Sequence, residues 1–217
     1  SCGRSERRLN ASPPRFRRWS PQRTVSFPLY RRSGWRSWCS VALLRHDRSV
    51  LPPTDRLSAI EGYKASLRAA ALEGLEHEVE RHLARNDLFF LLVHVLGRKD
   101  INHDWLYARC REVQAEPNGY LDLWAREHGK TSIITQGLTI QDILNNPEIT
   151  VGILSFNRPT AKKFLGQIKR EFEGNEKLRE LFPDIFWHKP SAEAPVWSMD
   201  DGIIVKRKGN PREATIE

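Results

Sequence analysis

The run Trp124-Ala125-Arg126-Glu127-His128-Gly129-Lys130-Thr131-Ser132 gathers the residue types needed to hold a phosphate group. A glycine at position 129 lets the backbone approach an anion closely. The N–H groups of Glu127, His128, Gly129 and of a following helix can then cradle that anion. Lys130 adds a cation, and the Thr131 hydroxyl, followed by Ser132, can ligate a Mg²⁺ ion that accompanies a nucleotide. The general phosphate-loop pattern G-x-x-x-x-G-K-[ST] is incomplete, because Trp124 stands where its first glycine belongs. A bare Gly-Lys-Thr is common by chance, so the chemistry depends on what precedes and follows it.

The flanking pattern predicts a strand over Tyr120–Ala125 and a helix over Lys130–Leu144, with the loop between them. Ile149–Ser155 (ITVGILS) is β-branched and predicts a core strand, and Gly202–Val205 and Ala214–Ile216 read as two more. Thr160–Phe172 is amphipathic: Ala161, Phe164, Leu165, Ile168 and Phe172 share one face. A short helix is expected over Glu176–Leu181. Strand–helix alternation of this kind implies an α/β fold with parallel pairing, an incomplete P-loop NTPase three-layer sandwich of the RecA-like type over residues 117–217. Upstream, residues 53–116 read as helical. One long helix is expected from a cap at Thr54 or Asp55 through Leu83, a second over Asp87–Leu96 and a third over Asp104–Gln114. The turn Pro117-Asn118-Gly119 separates the two regions.

Charge divides the chain differently. Residues 1–50 hold twelve Arg, no Lys and only Glu6 and Asp47 as acids, a net of +10, whereas the other 167 residues have a net of -2. The overall +8 is therefore a property of the first segment, in which no helical or strand period is visible. Residues 1–52 are expected to be an unfolded extension, either spurious or a basic arm whose Trp19, Trp35 and Trp38 stack on bases. No run of 18 apolar residues occurs, and the basic N-terminus is not followed by the apolar stretch of a signal peptide. Cys2, Cys39 and Cys110 have no metal-ligand spacing, which suits a reducing cytoplasm. His77 and His82, five apart, do not share a helical face for a metal.

Tyr120–His128 resembles the deviant phosphate loop of phage terminase large subunits, which often lack the leading glycine. The stretches DLFFLLVHVLGRKDI (Asp87–Ile101), RCREVQAEPNGY (Arg109–Tyr120) and AKKFLGQIKREFE (Ala161–Glu173) resemble that family too. So do ELFPDIFW (Glu180–Trp187) and DGIIVKRKGNPREATIE (Asp201–Glu217). The resemblance runs from Asp87 to the C-terminus and leaves out residues 1–50. Relatives often carry Tyr in place of Gly129 and Lys-Ser-Thr after it, so this chain lies closer to the general phosphate-loop pattern.

The resemblance implies an ATP hydrolase that drives double-stranded phage DNA into procapsids in the host cytoplasm, as a homo-oligomeric ring working with a portal protein and a small terminase subunit. Its cofactors would be ATP and Mg²⁺. Arg126 would take the place of an arginine finger supplied in cis, stabilising charge during phosphoryl transfer, and Gln114 would contact adenine. No apolar strand ending in an acid follows Thr131, and Asp200-Asp201 read as a turn. In terminases the carboxylate of the second ATPase motif, the coupling motif and the nuclease come later than the matched region. The expectation is an N-terminal portion that binds ATP without turning it over efficiently. Alternatives are another P-loop enzyme such as a helicase, which would not account for Arg126, and a non-enzymatic helical adaptor or DNA-binding module. If the Arg-rich segment is foreign to the fold, deleting residues 1–50 leaves the thermal midpoint of the remainder unchanged. Protected amides throughout 16–44 in hydrogen exchange would contradict that expectation.

Overall fold

A computed structural model describes residues 55–115, 123–209 and 213–217. The chain divides after Arg48, and all of these residues belong to the second unit, Ser49–Glu217. The expectations for residues 1–50, for the turn at 117–119 and for the start of the strand at 120–122 lie outside the described residues.

Helix α1 (Arg56–Glu73) starts where the sequence places a cap: the Asp55 carboxylate accepts from the Ser58 amide at 2.9 Å. It does not run on to Leu83. Gly74 adopts φ 69°, and its N–H turns back to the carbonyls of Ala70 and Ala71, so α1 ends there. A second helix, α2 (Glu76–Asn86), begins two residues later. The expected single helix is thus two, because a left-handed residue cannot continue a right-handed helix.

Next comes α3 (Leu88–Phe90), continued as a wider π-helical turn over Leu91–Val95. Leu88, Phe89, Phe90, Leu91, Leu92 and Val95 are all buried, with Val93 and His94 half-buried, so this segment forms the centre of the core. A 3-10 turn (Lys99–Ile101) leads to α4 (Asp104–Ala115). Beyond Gly129 the chain is helical as predicted, with π geometry over Thr131–Leu138 passing into α5 (Thr139–Asn145). The amphipathic segment becomes α6 (Arg158–Gly174), capped by Asn157 and burying Leu165, Ile168 and Phe172. The short helices α7 (Glu176–Leu181) and α8 (Pro190–Glu193) follow.

The expected α/β sandwich is absent: among the described residues the fold is helical, with no strand and no sheet. Leu123 to Ala125 have no regular structure, and Leu123 is 83% exposed, so they are not a buried strand. Ile149–Ser155 is extended but pairs on one edge only. Val151 donates to the Thr215 carbonyl at 2.9 Å, and Ile153 to that of Glu217 at 2.7 Å. The segments read as strands meet only at isolated bridges, Val151 with Ile216 in parallel and Ile203 with Ile216 and Trp197 in antiparallel fashion. A parallel sheet must be buried on both faces. Here Leu154 is 96% exposed, and the apolar centre is the helical segment after Asp87. β-branched runs such as ITVGILS satisfy the strand pattern locally, yet among the described residues no neighbouring strands exist to bury them.

One buried polar cluster links three helices. Asp87 caps α3, its Oδ1 accepting from the Phe90 amide at 3.0 Å. Its Oδ2 accepts from the Tyr63 hydroxyl of α1 and from Arg111 of α4, both at 2.5 Å. Burial, with the Asp87 charge, pushes the Tyr63 hydroxyl up, so it remains a donor. Arg111 also stacks over the Tyr107 ring. Breaking a buried pair leaves an uncompensated charge, so Asp87→Ala is expected to lower stability by about 3–5 kcal/mol. Urea denaturation followed by circular dichroism measures this, and a loss below about 1 kcal/mol would show that the cluster is dispensable.

Candidate functional site: a cavity at a helix start

The loop from Trp124 to Gly129 turns sharply before the helix begins. Glu127 is the only non-glycine among the described residues at positive φ, at 66°, and Gly129 follows at 74°. Lys130 returns to right-handed helical values (φ -52°, ψ -50°). Left-handed residues alternating with right-handed ones create the concave run of N–H groups that receives anions. The first helical bond is from the Ile133 amide to the Gly129 carbonyl at 2.9 Å, so the amides ahead of Ile133 lie in the turn whose donors a helix leaves unpaired.

Around this turn lies a cavity of about 420 Å³, lined by Asp100, Trp124, Ala125, Arg126, Glu127, Gly129, Lys130, Thr131 and Ser132. It brings together six of the residues singled out in the sequence, Arg126, Glu127, Gly129, Lys130, Thr131 and Ser132. Arg126, Glu127 and Lys130 are exposed, whereas Thr131 and Ser132 are half-buried. His128 is not among the lining residues. Its Nδ1 donates to the Arg126 carbonyl at 2.7 Å, which braces the loop from within; a carbonyl only accepts, so that nitrogen carries the proton.

Gln114 stands apart from the cavity. Its Oε1 accepts from the Leu88 amide at 3.0 Å, and its Nε2 donates to the Asn86 carbonyl and to Gln141 Oε1, both at 3.1 Å. The carboxamide is committed to joining α4 to the start of α3, and no adenine contact follows from it. Asp200 and Asp201 form the expected turn, their amides donating to Ser198 Oγ. Asp200 also pairs with Arg158 and Lys162 on α6. Burial pushes the Cys110 thiol up to about 12, which removes it as a nucleophile.

Residues 98–106, which sequence reasoning does not select for the site, form the floor beneath the loop. A Cβ on Gly129 would come within 3.3 Å of both Ile101 Cδ1 and Leu106 Cδ2, a tight approach, and the φ of 74° favours glycine there. The Trp105 ring meets Trp124 edge-on at 5.5 Å between centroids and His128 at 5.6 Å, gripping the loop near both ends. Arg98 fixes the other side. Its Nη2 donates to Ser132 Oγ at 2.7 Å, and its Nη1 to Gln136 Oε1 at 2.8 Å. Its Nε and Nη2 each bond one oxygen of Asp100 at 3.0 Å. Those bonds hold the Asp100 carboxyl below the usual carboxylate range, so it is ionised at neutral pH. The one signal in the chain is Arg98-Lys99-Asp100 directly after the helix-ending Gly97, inside a stretch already singled out.

Comparison with known proteins finds no matching family, no matching curated protein and no matching solved structure. What the cavity offers chemically is two exposed cations, two hydroxyls, helix-start amides and two carboxylates. An edge-on aromatic contact is worth about 0.5–1.5 kcal/mol, so Trp105→Ala removes two such contacts and makes loop opening on the order of tenfold more frequent. Amide exchange of Ile133, whose N–H is bonded to the Gly129 carbonyl, is expected to accelerate accordingly while that of α1 stays unchanged. Equal exchange in both proteins would mean that Trp105 does not hold the loop.

Proposed function

We propose that this cavity binds the phosphates of ATP together with Mg²⁺, and that the chain is the ATP-binding part of a phage DNA-packaging motor, the terminase large subunit. The observation that carries the proposal is the joint presence of Arg126, Lys130, Thr131 and Ser132 on one cavity at a helix start, behind a turn with two left-handed residues. The link to packaging motors rests on the sequence resemblance, and the phosphate site rests on the loop and its helix, without a supporting sheet.

The residues present fit a metal-bound triphosphate. Lys130 and the helix-start amides would neutralise phosphate oxygens, and the Thr131 hydroxyl would be a hard oxygen ligand for Mg²⁺. ATP, when bound, supplies the phosphoanhydride whose cleavage drives translocation in such motors. Arg126, exposed on the same wall, would supply a cation that stabilises charge building up on the bound phosphates. In the intact motor, portal, small subunit and double-stranded DNA would be partners of a ring in the host cytoplasm. Among the described residues no helix is long and apolar enough to cross a membrane.

The helical build favours a second reading, a helical adaptor or DNA-binding module in which the Gly129 turn is only structural. The two readings separate at Lys130, whose side chain is exposed and therefore contributes little to folding. Under the first reading, Lys130→Ala weakens binding of a slowly hydrolysed ATP analogue by at least about tenfold, or 1.4 kcal/mol, with the unfolding midpoint unchanged. Unaltered affinity in that variant would remove the phosphate-loop assignment and leave the adaptor reading.

A further inference from the structure

Two carboxylates, Asp100 and Glu127, share the cavity wall with two cations, Arg126 and Lys130. The two signs cancel on the wall, so a polyphosphate entering alone would find few of its several negative charges compensated. The balance changes if a divalent cation enters with it, and of the two carboxylates Asp100 is the one held in place by a neighbouring side chain. Asp100 is held by Arg98 through two charge-assisted bonds of 3.0 Å, one to each oxygen. The nitrogen that binds Asp100 Oδ2 also donates to Ser132 Oγ at 2.7 Å. Carboxylate and helix-start hydroxyl are thereby anchored on a single atom, one residue along from Thr131. After accepting from Arg98, each Asp100 oxygen keeps a lone pair for a further ligand, and the side chain is 58% exposed.

Mg²⁺ takes oxygen ligands and is commonly held by one or two carboxylates together with substrate phosphates. Among the described residues no three acidic, histidine or cysteine side chains gather into a cage. The remaining ligands would therefore come from phosphate and water. Glu127 sits on the positive-φ turn itself, whereas Asp100 is fixed to the floor beneath it.

We propose that Asp100, positioned by Arg98, is a ligand of the divalent cation that enters with the phosphates, so that the cavity prefers metal-complexed polyphosphate to the free anion. This rests on the phosphate-binding reading above. It gives the site an acidic metal ligand that precedes the loop in the chain.

The test is isothermal titration calorimetry of the full 217-residue chain with a slowly hydrolysed ATP analogue, in Mg²⁺ and in excess chelator. The wild-type chain is expected to bind at least about tenfold tighter with Mg²⁺, and Asp100→Asn to narrow that ratio to about threefold or less, in part by binding the free anion better. Asp100→Ser replaces the amide variant if circular dichroism shows the latter unfolded. A purely structural role for Asp100 would weaken both forms alike and leave the ratio unchanged, which overturns the assignment. Wild-type binding that is indifferent to Mg²⁺ overturns it too, while sparing the phosphate site. Wild-type chain that binds neither form overturns the phosphate reading and this inference together.

Discussion

The carboxylate of Asp87 accepts hydrogen bonds from three helices: the Phe90 amide that opens α3, the Tyr63 hydroxyl of α1 and the Arg111 guanidinium of α4. An acidic side chain on a residue that is 7% exposed is tolerable only when its lone pairs are used in this way. The acid is required because α3 is apolar around its whole circumference and its first amides would otherwise lie unpaired in the core. Gln114 completes the arrangement by accepting from the Leu88 amide. The most apolar segment of the chain is thus held by polar groups at its N-terminal end, and α4 is locked to it.

That lock reaches the cavity through α4. Trp105 and Leu106 lie in the first turn of α4, and Ile101 sits just before it. The three support Trp124, His128 and Gly129 from below. Arg98, at the exit of the π-helical turn after α3, supports Ser132 and Gln136 from the side. The loop contributes little of its own to this stability, since Glu127 occupies a left-handed backbone conformation that costs about 1–2 kcal/mol. A strained, exposed turn persists because its surroundings over-determine it.

Local patterns are legible where one side of an element faces water. Asp55 and the α6 face appear where capping and periodicity place them, because each depends on residues within one or two turns. The helix after Gly129 is equally legible. The strands are not. ITVGILS and the segment before Ala125 carry strand composition, but composition does not say whether two neighbours exist to pair with and bury them. Gly74 is hidden as a helix end because leucine spacing continues through it, while its φ of 69° is a property of the folded chain.

The sequence by itself determined the loop's chemistry: Arg126, Gly129, Lys130, Thr131 and Ser132 are close in space because they are close in the chain. It also determined where the charge lies and which helical faces are apolar. Only the tertiary structure decided that the loop rests on residues 98–106, that Asp100 faces the cavity and that Gln114 does not. Those placements follow from helices packing around a buried α3 across more than twenty residues of chain, a separation over which neither periodicity nor motif spacing carries information.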